Sequence, residues 1–218
     1  MGNTDYNAVM TGLSNAIRQA PKVGMYYYIR GIIAKAHHNY VAAMADFKKI
    51  INENLYNYHG IYRELAECKY ALGKYDDAIY DINYAINATK ENSEYYAIKA
   101  KILRAVGQPS EGVECCNTAL NKNPNLTDAI TTKGLCLTDV GNYDQAVILF
   151  GEATLNEANN PFNYILRANV LSKDLNQLEN ANSIYERVAE MDFELNDIKS
   201  LKGFALLAIG EETQAINW

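Results

Sequence analysis

Residues 73–78 read Gly-Lys-Tyr-Asp-Asp-Ala, and residues 141–146 read Gly-Asn-Tyr-Asp-Gln-Ala, two periods of 34 further along the chain. Outward from this pair, small residues recur at Ala43, Ala78, Gly112, Ala146, Ala181 and Ala215, in steps of 34 or 35. A period of this length marks stacked helical units. One such unit cannot bury its own apolar face, so it is stable only against its neighbours, in an elongated stack with a continuous core and a long exposed groove. That architecture predicts recognition rather than catalysis.

The positions within the period assign the helices. Tyr27, Tyr62, Tyr96, Ile130 and Tyr164 form one set, and four residues later come Gly31, Ala66, Ala100, Gly134 and Ala168. A large residue at i and a small one at i+4 share a helix face, so the bulky side chain packs while the small site admits another helix. These are first helices. Gly73, Gly107, Gly141 and Gly210 follow, where a helix C-terminus often needs a residue with positive φ. Tyr40, Tyr75, Pro109 and Tyr143 then open second helices; Pro109 is tolerated because the first turn does not use its missing N–H. From there Ala43, Ala78, Gly112 and Ala146, then Phe47, Ile82, Cys116 and Phe150, then Ile50, Ala85, Ala119 and Ala153 draw an apolar stripe along each second helix.

This alternation resembles the tetratricopeptide repeat, most clearly over residues 59–160, with Pro124 where that family often closes a unit. The resemblance implies an all-α fold, a right-handed α-solenoid of antiparallel helix pairs forming a single domain over 1–218. About five full repeats of 34–35 residues are expected, at 24–58, 59–92, 93–126, 127–160 and 161–195, with partial repeats at 1–23 and 196–218. Departures are local. His38 stands in place of the turn glycine of the first full unit, whose extra residue falls in the Asn52–Asn57 linker. The unit from 161 lacks the turn glycine and carries an additional residue near Asp174–Gln177, which predicts an irregular turn. Leu13, Ala16 and Pro21 fit the end of an earlier second helix, and the last unit stops at Trp218, part-way through its second helix. Solenoids usually need polar caps at such ends, so a fragment of a longer protein, coverage by partners and self-association are all open.

Composition agrees with a packed soluble chain: 49% of the 218 residues are apolar and 21% charged. No apolar run approaches the roughly 18 residues that cross a bilayer, and the start, MGNTDYNAVM, lacks a basic segment followed by an apolar one. A cytoplasmic location without membrane association is expected. Gly2 invites comparison with the myristoylation signal, but Tyr6 occupies the place of its Ser or Thr. The net charge of −6 opposes phosphate attraction and excludes nucleic acid as an expected partner. Cys68, Cys115, Cys116 and Cys136 read as reduced thiols, with Cys116 a small buried hydrophobe in the place of Phe47 and Phe150.

Catalytic patterns are missing from the sequence. His37, His38 and His59 have neither the spacing nor the nearby cysteines of a zinc site. No glycine-rich phosphate turn or nucleophile setting occurs. Asp76-Asp77 and Glu211-Glu212 lie where second helices begin, where exposed N–H groups favour negative charge. Asn87-Ala88-Thr89 and Asn125-Leu126-Thr127 match the glycosylation pattern but lack a secretory context. The expectation is a protein that is not an enzyme, with no metal and no cofactor.

In tetratricopeptide proteins the first helices line the concave surface, and the resemblance implies which positions face a partner. Here they give Tyr28, Lys35, Arg63, Glu67, Tyr70, Lys101, Arg104, Thr131, Thr138 and Asn169, a row that is mildly basic at its middle. The carboxylate clamp known in this family for chaperone tails wants Lys at the fifth and Asn at the ninth position of one unit, and no unit here has both; Ile98 and Thr132 also differ from it. The expected function is therefore a non-enzymatic scaffold whose groove takes a peptide segment or helix of a partner protein within a larger assembly. Arg63, Lys101 and Arg104 would meet acidic groups, and Tyr28 and Tyr70 would supply apolar contact, since aromatic and Arg residues dominate interface energetics. Against this, Arg63 and Glu67 at i and i+4 also suit a simple solvated pair. The alternative is a regulatory repeat region of a longer enzyme or co-chaperone.

Overall fold

The computed structural model describes residues 3–56, 59–191 and 203–210. Among the described residues the regular structure is helical and no strand occurs: α1 (Asn3–Gln19), α2 (Gly24–Ala36), α3 (Tyr40–Asn52), α4 (Gly60–Ala71), α5 (Tyr75–Ala88), α6 (Ser93–Ala105), α7 (Pro109–Lys122), α8 (Thr127–Asp139), α9 (Tyr143–Asn156), α10 (Pro161–Lys173) and α11 (Leu178–Glu190). Residues 203–208 are helical as well. Ala215, the Glu211-Glu212 pair and Asn57 of the linker lie outside the described residues. The all-α class expected from the period is the class observed, with consecutive helices in antiparallel pairs.

The chain divides into two compact units, residues 1–102 and 103–218. In the first, α2 packs on α3 and α4 on α5, with α1 against α2 and α3 against α4. In the second, α8 packs on α9 and α10 on α11, with α7 against α8 and α9 against α10.

Each inter-helix turn closes through local chemistry. At the end of α4, Gly73 has φ 71°; its N–H donates to the Tyr70 carbonyl, and the Lys74 N–H reaches back to the Lys69 carbonyl at 2.8 Å. This double return satisfies carbonyls that the helix end leaves unbonded. His38 does the same after α2 at φ 59°, with Asn39 bonding to the Ala34 carbonyl at 2.8 Å; His is among the few side chains enriched in this left-handed region. In the irregular turn after α10 the left-handed residue is Asn176, φ 53°, and Gln177 bonds to the Leu171 carbonyl at 2.7 Å.

Helix pairs meet where a small residue faces a large one. A Cβ on Gly31 would stand 2.6 Å from the Phe47 ring, and one on Gly134 would stand 2.6 Å from the Phe150 ring. Where the small site is Ala66, the matching residue in the same core cluster is the slimmer Ile82. Buried carboxylates also link first to second helices. Asp46 on α3 accepts from Arg30 of α2 at 2.8 and 2.6 Å, and Asp81 on α5 pairs with Lys69 of α4 at 2.6 Å. Burial pushes the Asp81 carboxyl above its ordinary range, against the pull of Lys69. Cys68, Cys116 and Cys136 are buried. Burial pushes the Cys68 thiol up to about 12 and the Cys136 thiol up to about 11.

Two outcomes follow from this packing. Gly134→Ala gains about 1 kcal/mol of helix propensity yet drives a methyl into the Phe150 ring, so it should destabilise the native chain. In a Phe150→Leu background the same change should stabilise, a reversal of sign that urea unfolding of the four chains measures. In the native protein at pH 8 a thiol reagent should label half-exposed Cys115 first, with Cys68, Cys116 and Cys136 reacting only after denaturant is added.

Candidate functional site

In the first unit, the period that builds α2, α4 and α6 places Lys35, Glu67, Tyr70 and Lys101 around one open cleft of about 370 Å³. Ala36, Ala71 and Ile98 supply its apolar lining, and Tyr40 and His38 reach it from the turn between α2 and α3. His38 Nδ1 and the Tyr40 hydroxyl are 2.8 Å apart, and the Tyr70 ring lies 5.8 Å from that of Tyr75. Tyr70 is 38% exposed, which leaves its face available for contact. The result is an apolar pocket with aromatic edges and charged groups at its rim.

The charges around the cleft are mostly engaged with one another. Lys35 of α2 donates to both Glu64 and Glu67 of α4. Arg63 donates to Glu64 at 2.5 Å and lies 3.8 Å from Glu67 and 3.9 Å from Glu94 of α6. Burial alone would lower the Lys35 ammonium, but its hydrogen bonds to Glu64 and Glu67 outweigh that and hold it above its ordinary range. Arg63 behaves likewise: burial lowers it, and Glu67 and Glu64 raise it further. Glu64 is only 2% exposed. A buried carboxylate is costly unless it is paired and hydrogen-bonded, so both cations are tied to it structurally.

The remaining residues of the expected row have other surroundings. Tyr28 is half-buried and packs near Phe47 and Tyr56, with ring centroids at 6.2 and 6.1 Å. In the second unit Arg104 bonds Asp139 at 2.6 and 3.2 Å. Buried Thr131 donates to Asn163 Oδ1 at 2.8 Å, and Thr138 donates to the carbonyl of Gly134 in its own helix. Asn169 Oδ1 accepts from the Tyr185 hydroxyl at 2.7 Å. Of the ten residues, four therefore line the cleft, Arg63 stands beside it through Glu67, and the others are bonded or packed within their own units.

Glu64, His38, Tyr40 and Ile98 were not among the expected partner-facing residues, although each contributes here. His38 and Tyr40 read from sequence as turn and helix-start residues. Their position in the first turn is legible; their place in the lining of the cleft is not. Glu64 follows Arg63 directly on the helix, and only the approach of Lys35 from α2 makes it a central acceptor. Among the described residues no group of three or more His, Cys, Asp or Glu could hold a metal ion. Among them, too, no helix is long and apolar enough to cross a membrane.

Comparison with known proteins bears on the fold. No family model matches the chain. The chain is 28% identical over 151 residues to Hsp70-Hsp90 organizing protein 1 of Arabidopsis thaliana, a match that covers 64% of this chain and 25% of that relative. A tetratricopeptide repeat protein from Parabacteroides merdae superposes with a TM-score of 0.75 at 17% identity, over 97% of this chain and 83% of the other. YrrB, described as a TPR protein with an unusual peptide-binding site, superposes with a TM-score of 0.58 at 16% identity, over 94% of this chain and 96% of its own. Together with the helix pairs, the glycine turns and the small-against-large contacts, these likenesses identify the fold of this chain as that of the tetratricopeptide-repeat proteins.

Proposed function

We propose that the chain is a non-enzymatic protein-interaction scaffold of the cytoplasm, and that the cleft in residues 1–102 takes a peptide segment or helix of a partner within a larger assembly. The observation that carries this reading is the convergence of Lys35, Glu67, Tyr70 and Lys101 on one cleft with an apolar lining. Pockets of that composition, with a few polar groups at fixed places, suit specific ligands. An apolar side chain of the partner enters between Tyr40 and Tyr70, and an acidic one meets Lys101. Peptide binding by YrrB, a protein of the same fold, supports the general role. The net charge of −6 weighs against nucleic acid as the partner.

A second reading, a repeat region of a longer enzyme or co-chaperone, is favoured by the similarity to Hsp70-Hsp90 organizing protein 1. Tighter binding of a peptide with a free acidic C-terminus than of its amidated form would support it.

Because Arg63 holds buried Glu64, reversing its charge perturbs the fold as well as the surface. The cleft is better tested with Tyr70→Ala and Lys101→Glu together, after circular dichroism and melting show both chains folded. Affinity capture from native lysate, quantified by mass spectrometry, should show partners of the unaltered chain reduced at least tenfold by the double substitution. Full retention of every partner would reject the cleft as the binding surface.

A further inference from the structure

The second unit carries a cleft of a different kind, on the side formed by second helices. It measures about 500 Å³, lies between α9 and α11, and has α10 beneath it. Ile148 and Leu155 of α9 stand at its edge, 61% and 83% exposed. Arg167 of α10 and Arg187 of α11 both line it, with Arg187 placed 5.1 Å above the ring of Tyr164. Glu152 is also in the lining, but no ion pair within 4 Å joins it to either arginine among the described residues.

Arg167 gains significance from its counterpart in the first unit. Arg30 and Arg167 each lie three residues after the anchor tyrosine of a first helix, Tyr27 and Tyr164. Arg30 is held by both oxygens of Asp46 and also donates to Ser14 at 3.1 Å. The residue corresponding to Asp46, one before the large core residue of the second helix, is Ile184 in the last pair. Arg167 therefore has no carboxylate where Arg30 has one, and among the described residues its buried Nε is bonded to no acceptor.

Gly151 makes the guanidinium accessible. The residue after the large core position is Lys48, Asn83, Asn117 or Glu186 in the other units and glycine only here. A Cβ at 151 would lie 3.6 Å from the Arg167 guanidinium, so the missing side chain opens space directly over the charge.

We infer that this cleft is a docking site for an acidic, apolar segment of a partner protein. Carboxylates of the segment bind the terminal nitrogens of Arg167 and Arg187, and a large aliphatic side chain rests on Ile148 and Leu155. Arginine suits this role because its planar fork matches a carboxylate in two places at once. The site is independent of the cleft proposed above, which belongs to other helices, so either can fail alone.

The test is an NMR titration of the isotope-labelled full chain with an acetylated, amidated hexapeptide of alternating leucine and glutamate, beside its leucine–glutamine counterpart. The glutamate peptide should shift the signals of Gly151 and of the Arg167 and Arg187 side chains, and bind at least tenfold more tightly than the glutamine peptide. Arg167→Met with Arg187→Met should remove that preference. Gly151→Glu provides a variant that keeps both arginines and places an internal carboxylate over them; it should melt no lower than the native chain and lose the peptide tenfold or more. Equal binding of the two peptides, shifts confined to other surfaces, or an equal response to sodium acetate at matched carboxylate concentration would each overturn the proposal. Shifts at these residues that depend on protein concentration alone would overturn it in favour of a second copy as the occupant.

Discussion

How closely the two helices of a pair approach is set by side-chain volume at one small position, and the rest of each unit follows from that distance. Gly31 accepts the Phe47 ring and Gly134 accepts the Phe150 ring where a methyl would stand 2.6 Å away. Ala66 shares its core with Ile82 instead. Interiors pack at the density of organic crystals, so a gain of volume on one helix must be matched by a loss on the other. The double-bonded turns at Gly73 and His38 complete the constraint, because they fix how the chain reverses before the second helix begins.

With the helices placed, charge decides what their exposed faces can do. In the first unit, cations and carboxylates from neighbouring helices neutralise one another around buried Glu64. The polar groups at the cleft beside Tyr70 are thereby held in fixed positions, which lowers the ordering cost of a ligand that uses them. The second unit treats an equivalent arginine differently. Arg30 is closed off by Asp46, whereas Arg167 meets Ile184 at the corresponding place and an open glycine beside it. Repeats of one architecture thus carry different surfaces, since the residues that maintain the pair contact are distinct from those that face outward.

Much of this was legible along the chain. Tyr40, Tyr75, Pro109 and Tyr143 mark the starts of α3, α5, α7 and α9, because a helix start, a left-handed turn and an apolar stripe each depend on residues within a few positions of one another. The irregular turn near Asp174–Gln177 was visible as an added residue, and Asn176 supplies its left-handed conformation. Lys35, Glu67, Tyr70 and Lys101 could be placed on one face because the resemblance to tetratricopeptide repeats implies which positions of a first helix face a partner. Thr131 and Asn169 hold such positions too, yet their side chains turn to Asn163 and Tyr185.

The sequence by itself determined the period, the helix pairs, the turn positions and the small-against-large pattern. Only the tertiary structure decided which charges are already satisfied: Lys35 by Glu64, Arg104 by Asp139, Arg30 by Asp46 and Arg167 by none of these. The reason is physical. Helical periodicity is a property of neighbouring residues, but an ion pair between side chains 16 to 35 positions apart exists only after two helices have packed at a particular distance and rotation.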